Sequence, residues 1–254
     1  LAEIKKKYGK PRITQIMDAG EVKVYDPEES VENFPVKLLL TRDGYFKKIA
    51  VTPRTVFSLE DQKLKDGDVI TTVLDAENRD ELVFFTDKCQ VYRASVNDFD
   101  CLKAAAMGDY LNTKLKMDDG ERPIFMKVIT PDLEQYNMIY IFENGKGVRI
   151  SLGNYQFRSS RKKLSGVYSD ASPIVAAILE DSPKDIILVS SQDKAITIKS
   201  ALIPEKTTRT AGGVTLFTLK GTATIVYANE AEKSIYPDPQ KYRKIKIPAT
   251  GSTL

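Results

Sequence analysis

The residues most able to do chemistry are cations that recur at one point of a repeating pattern. Lys48, Arg93, Arg149 and Lys244 each stand one residue before the end of a strand-like run, and Thr197 takes that place in a fifth. Side chains alternate across a strand, so cations at a shared strand position lie on one face. Positive charge at regular spacing is what binding along a phosphate backbone requires, because each neutralised phosphate releases counterions and no base need be read. A water-facing strand also carries lysine for no functional reason, so position alone leaves both readings open. Loop cations add to the set: Lys47 and Arg54 near the first run, Lys206 and Arg209 after the fourth. After the third come Arg158, Arg161, Lys162 and Lys163, four cations within six residues, and this cluster favours an anionic polymer.

Other chemistries are poorly supplied. Histidine is absent, and Cys89 and Cys101 have no metal-ligand spacing, which argues against zinc and against a His-based triad. The two cysteines read as reduced thiols. Gly145-Lys146-Gly147 lacks the following helix and third glycine of a phosphate loop and reads as a hairpin turn. The pairs Asp118-Asp119 and Glu28-Glu29 lie in loops without matched partners, as solvated surface. Phe84, Phe85, Tyr140 and Phe142 occupy strand positions suited to a core rather than a base-stacking platform. No cofactor is expected.

The elements that must position the cations are hairpins. Val36–Ile49 enters the turn Asp43-Gly44 and leaves with adjacent lysines; Asp-Gly between β-rich runs predicts a type I′ hairpin. The arrangement returns at 82–94, 138–150, 186–198 and 233–245, and the closing residues Ile49, Ala94, Ile150, Ile198 and Ile245 are 45, 56, 48 and 47 apart. A second apolar segment, ending near Val24, Leu74, Ile129, Leu179 and Val226, keeps gaps of 50, 55, 50 and 47. Two markers with one period predict an all-β array of five units, either closed as a ring that removes exposed sheet edges or open and twisted. The first strands are expected at 13–16 and 21–25, a short helix at Cys101–Met107, and the last hairpin at Ile235–Ile247. The 254 residues, 42% hydrophobic and 29% charged, describe an ordinary folded protein, and the net charge of +3 implies no nucleic-acid partner by itself. No apolar run approaches the ~20 residues that cross a bilayer. Residues 3–8 read as the end of a helix stopped by Gly9 and Pro11, within a linker over 1–16 from an upstream domain.

The stretch LLLTRDGYFKKI resembles the first-blade hairpin of the C-terminal domain of bacterial type IIA topoisomerase A subunits, those of DNA gyrase and topoisomerase IV. The opening EIKKKYG with Arg12 and Ile16 is similar to the segment joining that family's cleavage and tail domains, and the basic loops ending in Gly166-Val167 and Gly213-Val214 match its inter-blade pattern. The resemblance implies a five-bladed β-pinwheel over 17–254, with four-stranded antiparallel blades that exchange strands and a basic outer rim that bends duplex DNA. It implies a parent topoisomerase whose cleavage domain and ATPase (B) subunit are the partners of this domain, in a bacterial cytoplasmic, nucleoid-associated setting. The wrapping cations carry over to Lys47, Lys48, Arg54, Arg93, Arg149, Arg158, Arg161, Lys162, Lys163, Lys206 and Arg209, joined by Lys63, Lys65 and Lys244. The family's Gln-led basic box corresponds to Gln62–Asp68, where Leu64, Asp66 and Asp68 dilute the charge. That departure favours a topoisomerase IV-like role or a divergent gyrase. The family's nucleophilic tyrosine follows an arginine, and no Arg-Tyr pair occurs here, so this stretch is not expected to cleave DNA. A protein-interaction propeller of another family is the alternative; absent tryptophan disfavours a WD-type array.

Overall fold

The computed structural model describes residues 2–8, 31–54, 57–155 and 161–254. The chain divides into two units, 1–32 and 33–254. The first contains helix α1 (Ala2–Tyr8), with Ile4, Lys6, Lys7 and Tyr8 exposed.

Among the described residues the second unit forms four antiparallel sheets, each of four strands. Sheet A pairs β1 (Pro35–Thr41) with β2 (Tyr45–Ala50), adds β3 (Ile70–Glu77) beside β1, and ends on β6 (Asp109–Tyr110) beside β2. Sheet B repeats this with the hairpin β4 (Glu81–Thr86) and β5 (Gln90–Ser95), flanked by β7 (Pro123–Val128) and β10 (Lys163–Ser165). Sheet C has β8 (Asn137–Phe142) and β9 (Lys146–Ser151) between β11 (Ile174–Glu180) and β14 (Val214–Thr215). Sheet D has β12 (Asp185–Ser190) and β13 (Lys194–Lys199) between β15 (Ile225–Glu230) and β16 (Ser252–Thr253). In sheets A to C the last strand arrives only after the chain has made the next sheet's hairpin, so neighbouring sheets exchange strands. Strands β3, β7, β11 and β15 touch in succession from sheet to sheet. They form the inward edge of each sheet, and β6, β10, β14 and β16 form the outward edge.

The apolar runs read as strands because each hairpin is buried on both faces. Leu82 and Phe84 of β4 pack into the core shared with Val36, Leu38 and Leu40 of sheet A, while Val83 and Phe85 face Met138 and Tyr140 of sheet C. Ile139 and Ile141 turn the other way, onto Ile186 and Leu188 of sheet D. Burying one such side chain contributes ~2 kcal/mol. The far face of sheet D, with Ile187 and Val189, is closed by Tyr227, Tyr236 and Tyr242. On the far face of sheet A, Lys37 lies over the Phe57 ring and Lys47 reaches Gln62, so the stretch 57–68 covers Leu39.

Four sheets replace the predicted five. The fifth repeat, 233–245, forms no hairpin; it contains the 3-10 turns Ala231–Lys233 and Pro239–Tyr242 around a left-handed Asp238. Pro237 and Pro239 lack the N–H a strand ladder needs and restrict the residues before them. The strands expected at 13–16 and 21–25 lie outside the described residues. The predicted helix 101–107 is also absent: Cys101 makes a parallel bridge to Lys48, and Leu102 N–H donates to the Lys48 carbonyl at 2.7 Å. That contact draws the segment out along β2, overriding the helix propensity of Ala104–Ala106.

The hairpin turns are not type I′. In three of them the fourth residue donates to the first, Gly44 to Thr41, Gly145 to Phe142 and Asp193 to Ser190, each at 3.1 Å. The left-handed residues at this place are Gly44, Cys89, Gly145 and Asp193, which is a type I turn closed by a bulge. One left-handed position, rather than two, is why Cys and Asp can replace glycine there.

The core between sheets B and C carries a tyrosine network. Tyr140 donates to Tyr155 at 3.0 Å, Tyr155 to the Val167 carbonyl at 2.8 Å and Tyr168 to the Thr86 carbonyl at 2.6 Å. Burial pushes all three phenols well above the ordinary tyrosine range.

Two outcomes are expected. Gly145→Ala places a Cβ 2.6 Å from the Phe217 carbonyl at a φ of +78°, and should lower the unfolding free energy in a urea titration by about 2 kcal/mol or more. Because the unfolded tyrosines ionise near pH ~10 and these three resist, their stabilisation is complete below ~10 and lost as pH rises towards their folded values. An ultraviolet titration should therefore show them ionising only together with alkaline unfolding, after the exposed members of the 12 tyrosines.

Candidate nucleic-acid interface

The recurrent strand position does not form a belt of free cations. Lys48 pairs with Leu38, Arg93 with Val83 and Arg149 with Ile139, on the face each sheet turns towards the next one, and Thr197 pairs with Ile187 on the tyrosine-covered far face of sheet D. Lys48 is 3% exposed, and its ammonium donates to Asn78 Oδ1 at 2.5 Å, the Phe99 carbonyl at 2.9 Å and the Val96 carbonyl at 3.2 Å. Burial lowers its pKa, against the opposing pull of Cys101 and Asp100. Arg93 forks onto Glu81, with Nε 2.9 Å from Oε1 and a second contact from its terminal nitrogen to Oε2. Arg149 lies 3.3 Å from Glu180, a carboxylate only 4% exposed. Thr197 Oγ1 donates to the Pro239 carbonyl at 2.6 Å. The position is therefore internally paired: Arg93 and Arg149 are tied to carboxylates of their own sheets, Lys48 to the segment that follows sheet B, and Thr197 to the segment returning to sheet D. Water-facing strands would have left it free; burial of both hairpin faces decides otherwise.

Lys47 is corrected likewise. It is 1% exposed, donating to the Ala104 carbonyl at 3.0 Å and lying 3.4 Å from Gln62 Oε1, and burial lowers its pKa. Lys244 does not occupy the strand position assigned to it. Its N–H donates to the Thr197 carbonyl at 2.8 Å, so it belongs to the segment returning to the outward edge of sheet D.

Those return segments carry the exposed charge. Lys206 N–H bonds the Arg149 carbonyl as Lys244 bonds Thr197, and the Lys162 carbonyl accepts from Arg93 N–H, each at 2.8 Å. Lys206 and Lys244 thus hold one place on sheets C and D, donating N–H to the strand as Leu102 does on sheet A, whereas in sheet B the bond runs the other way and Lys162 accepts from Arg93 beside an antiparallel strand. The Lys162 side chain is 81% exposed and 4.0 Å from Asp98. Arg161 and Lys206 are exposed, Arg209 and Lys244 half-buried, and Lys244 Nζ donates to Ser252 at 3.0 Å. Lys163 is tied down over the Tyr92 ring and 3.0 Å from Asp118; its bond to Tyr92, more than the Asp118 charge, raises its pKa. Arg158 lies outside the described residues. Arg243 and Lys246 are exposed on the sheet-D return segment, where the repeat period predicts a strand. The signal is present in KYRKIK, four cations in six residues at 241–246, but the expected fifth hairpin absorbs it.

The box-like stretch is divided between two tasks. Gln62 is buried, donating to the Ser58 carbonyl at 2.9 Å, and Asp68 Oδ1 accepts from Asp43 N–H at 3.0 Å and Val69 N–H at 2.8 Å. Lys63, Lys65 and Arg54 are exposed, with Lys65 3.3 Å from Asp43, whose hydrogen bond and charge raise its pKa. A notch at the outward edge of sheet B, about 250 Å³, is bounded by Arg93, Arg161 and Lys162 with Glu81 and Asp98. Its size and cationic lining suit a phosphate group.

The family described as DNA gyrase C-terminal domain, beta-propeller, matches residues 80–108 and 184–229, which include the hairpins of sheets B and D. The DNA gyrase A protein of Dehalogenimonas lykanthroporepellens is 22% identical over 230 residues, covering 87% of this chain and 28% of that relative. The DNA gyrase A protein of Streptococcus pyogenes serotype M1 is 30% identical over 124 residues, 47% of this chain and 15% of that relative. The chain thus spans between 15% and 28% of these relatives' length. The crystal structure of the C-terminal domain of DNA topoisomerase IV superposes with a TM-score of 0.68 at 21% identity, covering 79% of this chain and 62% of that one. The E. coli ParC C-terminal domain gives 0.61 at 12% identity, with 87% and 94% covered. These two likenesses concern the fold.

The paired strand position separates stability from binding. Arg149→Met leaves the Glu180 carboxylate buried without its cation and should lower the unfolding free energy by about 3 kcal/mol, with Glu180→Gln restoring much of it. DNA affinity, read by fluorescence anisotropy where the variant stays folded, should change less than about two-fold.

Proposed function

Because this chain is a β-propeller related to the C-terminal domains of DNA gyrase A and topoisomerase IV proteins, we propose that it binds and bends duplex DNA along the outward edges of its sheets. The observation that carries this reading is a lysine bonded through its backbone to the same strand position on three successive return segments, Lys162 to Arg93, Lys206 to Arg149 and Lys244 to Thr197. Phosphates spaced along a duplex meet charge that recurs once per sheet, and a curved path is the one that touches successive edges. Recognition by charge and deformability needs no base contact, so the binding is indifferent to sequence. Arg161, Lys206 and Arg209 are the members of the sequence-derived set best placed to contribute, with Arg243 and Lys246 added.

The parent protein is then a type IIA topoisomerase, in which this part presents a DNA segment to a cleavage domain that works with a separate ATPase chain. The DNA-cleaving chemistry lies in that upstream domain. Within the family reading, a topoisomerase IV-like or divergent gyrase role fits better than full wrapping. Gln62 and Asp68 are committed to internal bonds, and Lys63 and Lys65 stand among Glu60, Asp61, Asp66 and Asp68, so the box-like stretch offers a phosphate no net positive charge.

Binding to a duplex of mixed sequence should weaken steeply with salt. With roughly six phosphates neutralised, the slope of log affinity against log salt is about −5, a loss on the order of 10³-fold between about 50 and about 200 mM. An anisotropy titration checks this; affinity independent of salt, or confined to one sequence, would overturn the proposal. A topoisomerase IV-like role also predicts that minicircles ligated on this domain carry little writhe.

A further inference from the structure

We propose that the duplex is held asymmetrically, over the outward edges of sheets B, C and D, and leaves the protein before sheet A. This inference rests on the DNA-binding reading above and adds which part of the surface takes part. Each outward edge has a return segment bonded to the second strand of its hairpin, but the four segments differ in charge. In sheet B, residues 161–165 carry Arg161, Lys162 and Lys163 with no acid, a net +3. In sheet C, residues 203–215 carry Lys206 and Arg209 against Glu205, a net +1. In sheet D, residues 239–253 carry Lys241, Arg243, Lys244 and Lys246 with no acid, a net +4. The sheet-A segment, residues 96–108, carries Lys103 against Asp98 and Asp100, a net −1.

The covering stretch of sheet A deepens the contrast. Residues 57–68 carry Lys63 and Lys65 against Glu60, Asp61, Asp66 and Asp68, a net −2, and Lys63 N–H bonds the Ala104 carbonyl at 2.9 Å, so the two acidic segments adjoin. The residue that matches Lys206 and Lys244 is Leu102. Sheet A exposes at its edge Cys101, Met107 and Tyr110, the last in tilted contact with Tyr45 at 5.3 Å, and a single cation, Lys103, between Asp98, Asp100 and hydrocarbon. A phosphate brought to this edge meets more acid than ammonium. Like-charge contact opposes binding there, and the counterion release that drives it elsewhere is lacking.

The test reverses charge sheet by sheet in the whole chain and reads affinity and salt slope on one duplex. R161E/K162E, K206E/R209E and K244E/K246E should each cost about ten-fold or more and flatten the slope by about two, whereas K63E/K103E should cost less than about two-fold. Circular dichroism and a urea midpoint for each variant guard against misfolding. An independent readout uses a photo-crosslinker on the exposed natural thiol of Cys101, compared with the same probe at T207C in a C101S background. Crosslinking to DNA should be strong from position 207 and near background from Cys101. No binding by the unmodified chain would overturn the DNA reading and this inference with it. Binding that all four pairs weaken equally, or strong crosslinking from Cys101, would overturn the asymmetry alone.

Discussion

Burial of each hairpin on both faces is the constraint from which the rest of the second unit follows. Leu82 and Phe84 face one neighbour while Val83 and Phe85 face the other, so no sheet can satisfy its own side chains. Each needs a partner on either side, and the end sheets need covers. Sheet D receives Tyr227, Tyr236 and Tyr242, and sheet A receives the stretch 57–68. The exchanged strands reinforce this dependence, since the outward strand of sheets A, B and C is delivered by chain that has already built the next sheet. As in other repeat architectures, stability then resides in interfaces more than in units.

The same constraint decides where charge can act. A strand position that faces a neighbouring sheet is short of water, and a cation placed there must find partners or lose its proton. Lys48 finds two carbonyls and Asn78, Arg93 finds Glu81, and Arg149 finds Glu180. Recurrence at this place reflects a shared half-buried strand position whose cation is paired inside the fold. Charge available to a polyanion is displaced outward, to the return segments. There the backbone is held by single bonds to the hairpin and most long side chains extend into solvent, Lys162 at 81% exposure among them.

Because the strand positions are paired internally, the return segments can differ in charge with little cost to the core. The net charge of the outward edges ranges from −1 in sheet A to +4 in sheet D. Exposed surface residues of this kind contribute little to folding.

Much of this was legible in the sequence. The apolar runs, the period near fifty residues and the turn residues Asp43-Gly44 and Asn144-Gly145 specify β hairpins locally, because alternation and turn chemistry act within a dozen residues. The cluster at 161–163 stood out for the same reason. Three features were decided only by tertiary structure. The fifth repeat kept the spacing of a hairpin but not its hydrogen-bonding capacity, and so serves as cover and return segment for sheet D. Lys47 and Lys48, polar by composition, are buried because the surfaces of sheet A are claimed by residues far along the chain, Gln62, Ala104, Val96 and Phe99. Lys244 and Arg243 passed from strand to outward edge once the backbone bond from Lys244 to Thr197 was known. Sequence periodicity fixes which residues are equivalent in the chain; which way an equivalent side chain points depends on what packs against it, and those partners lie tens of residues away.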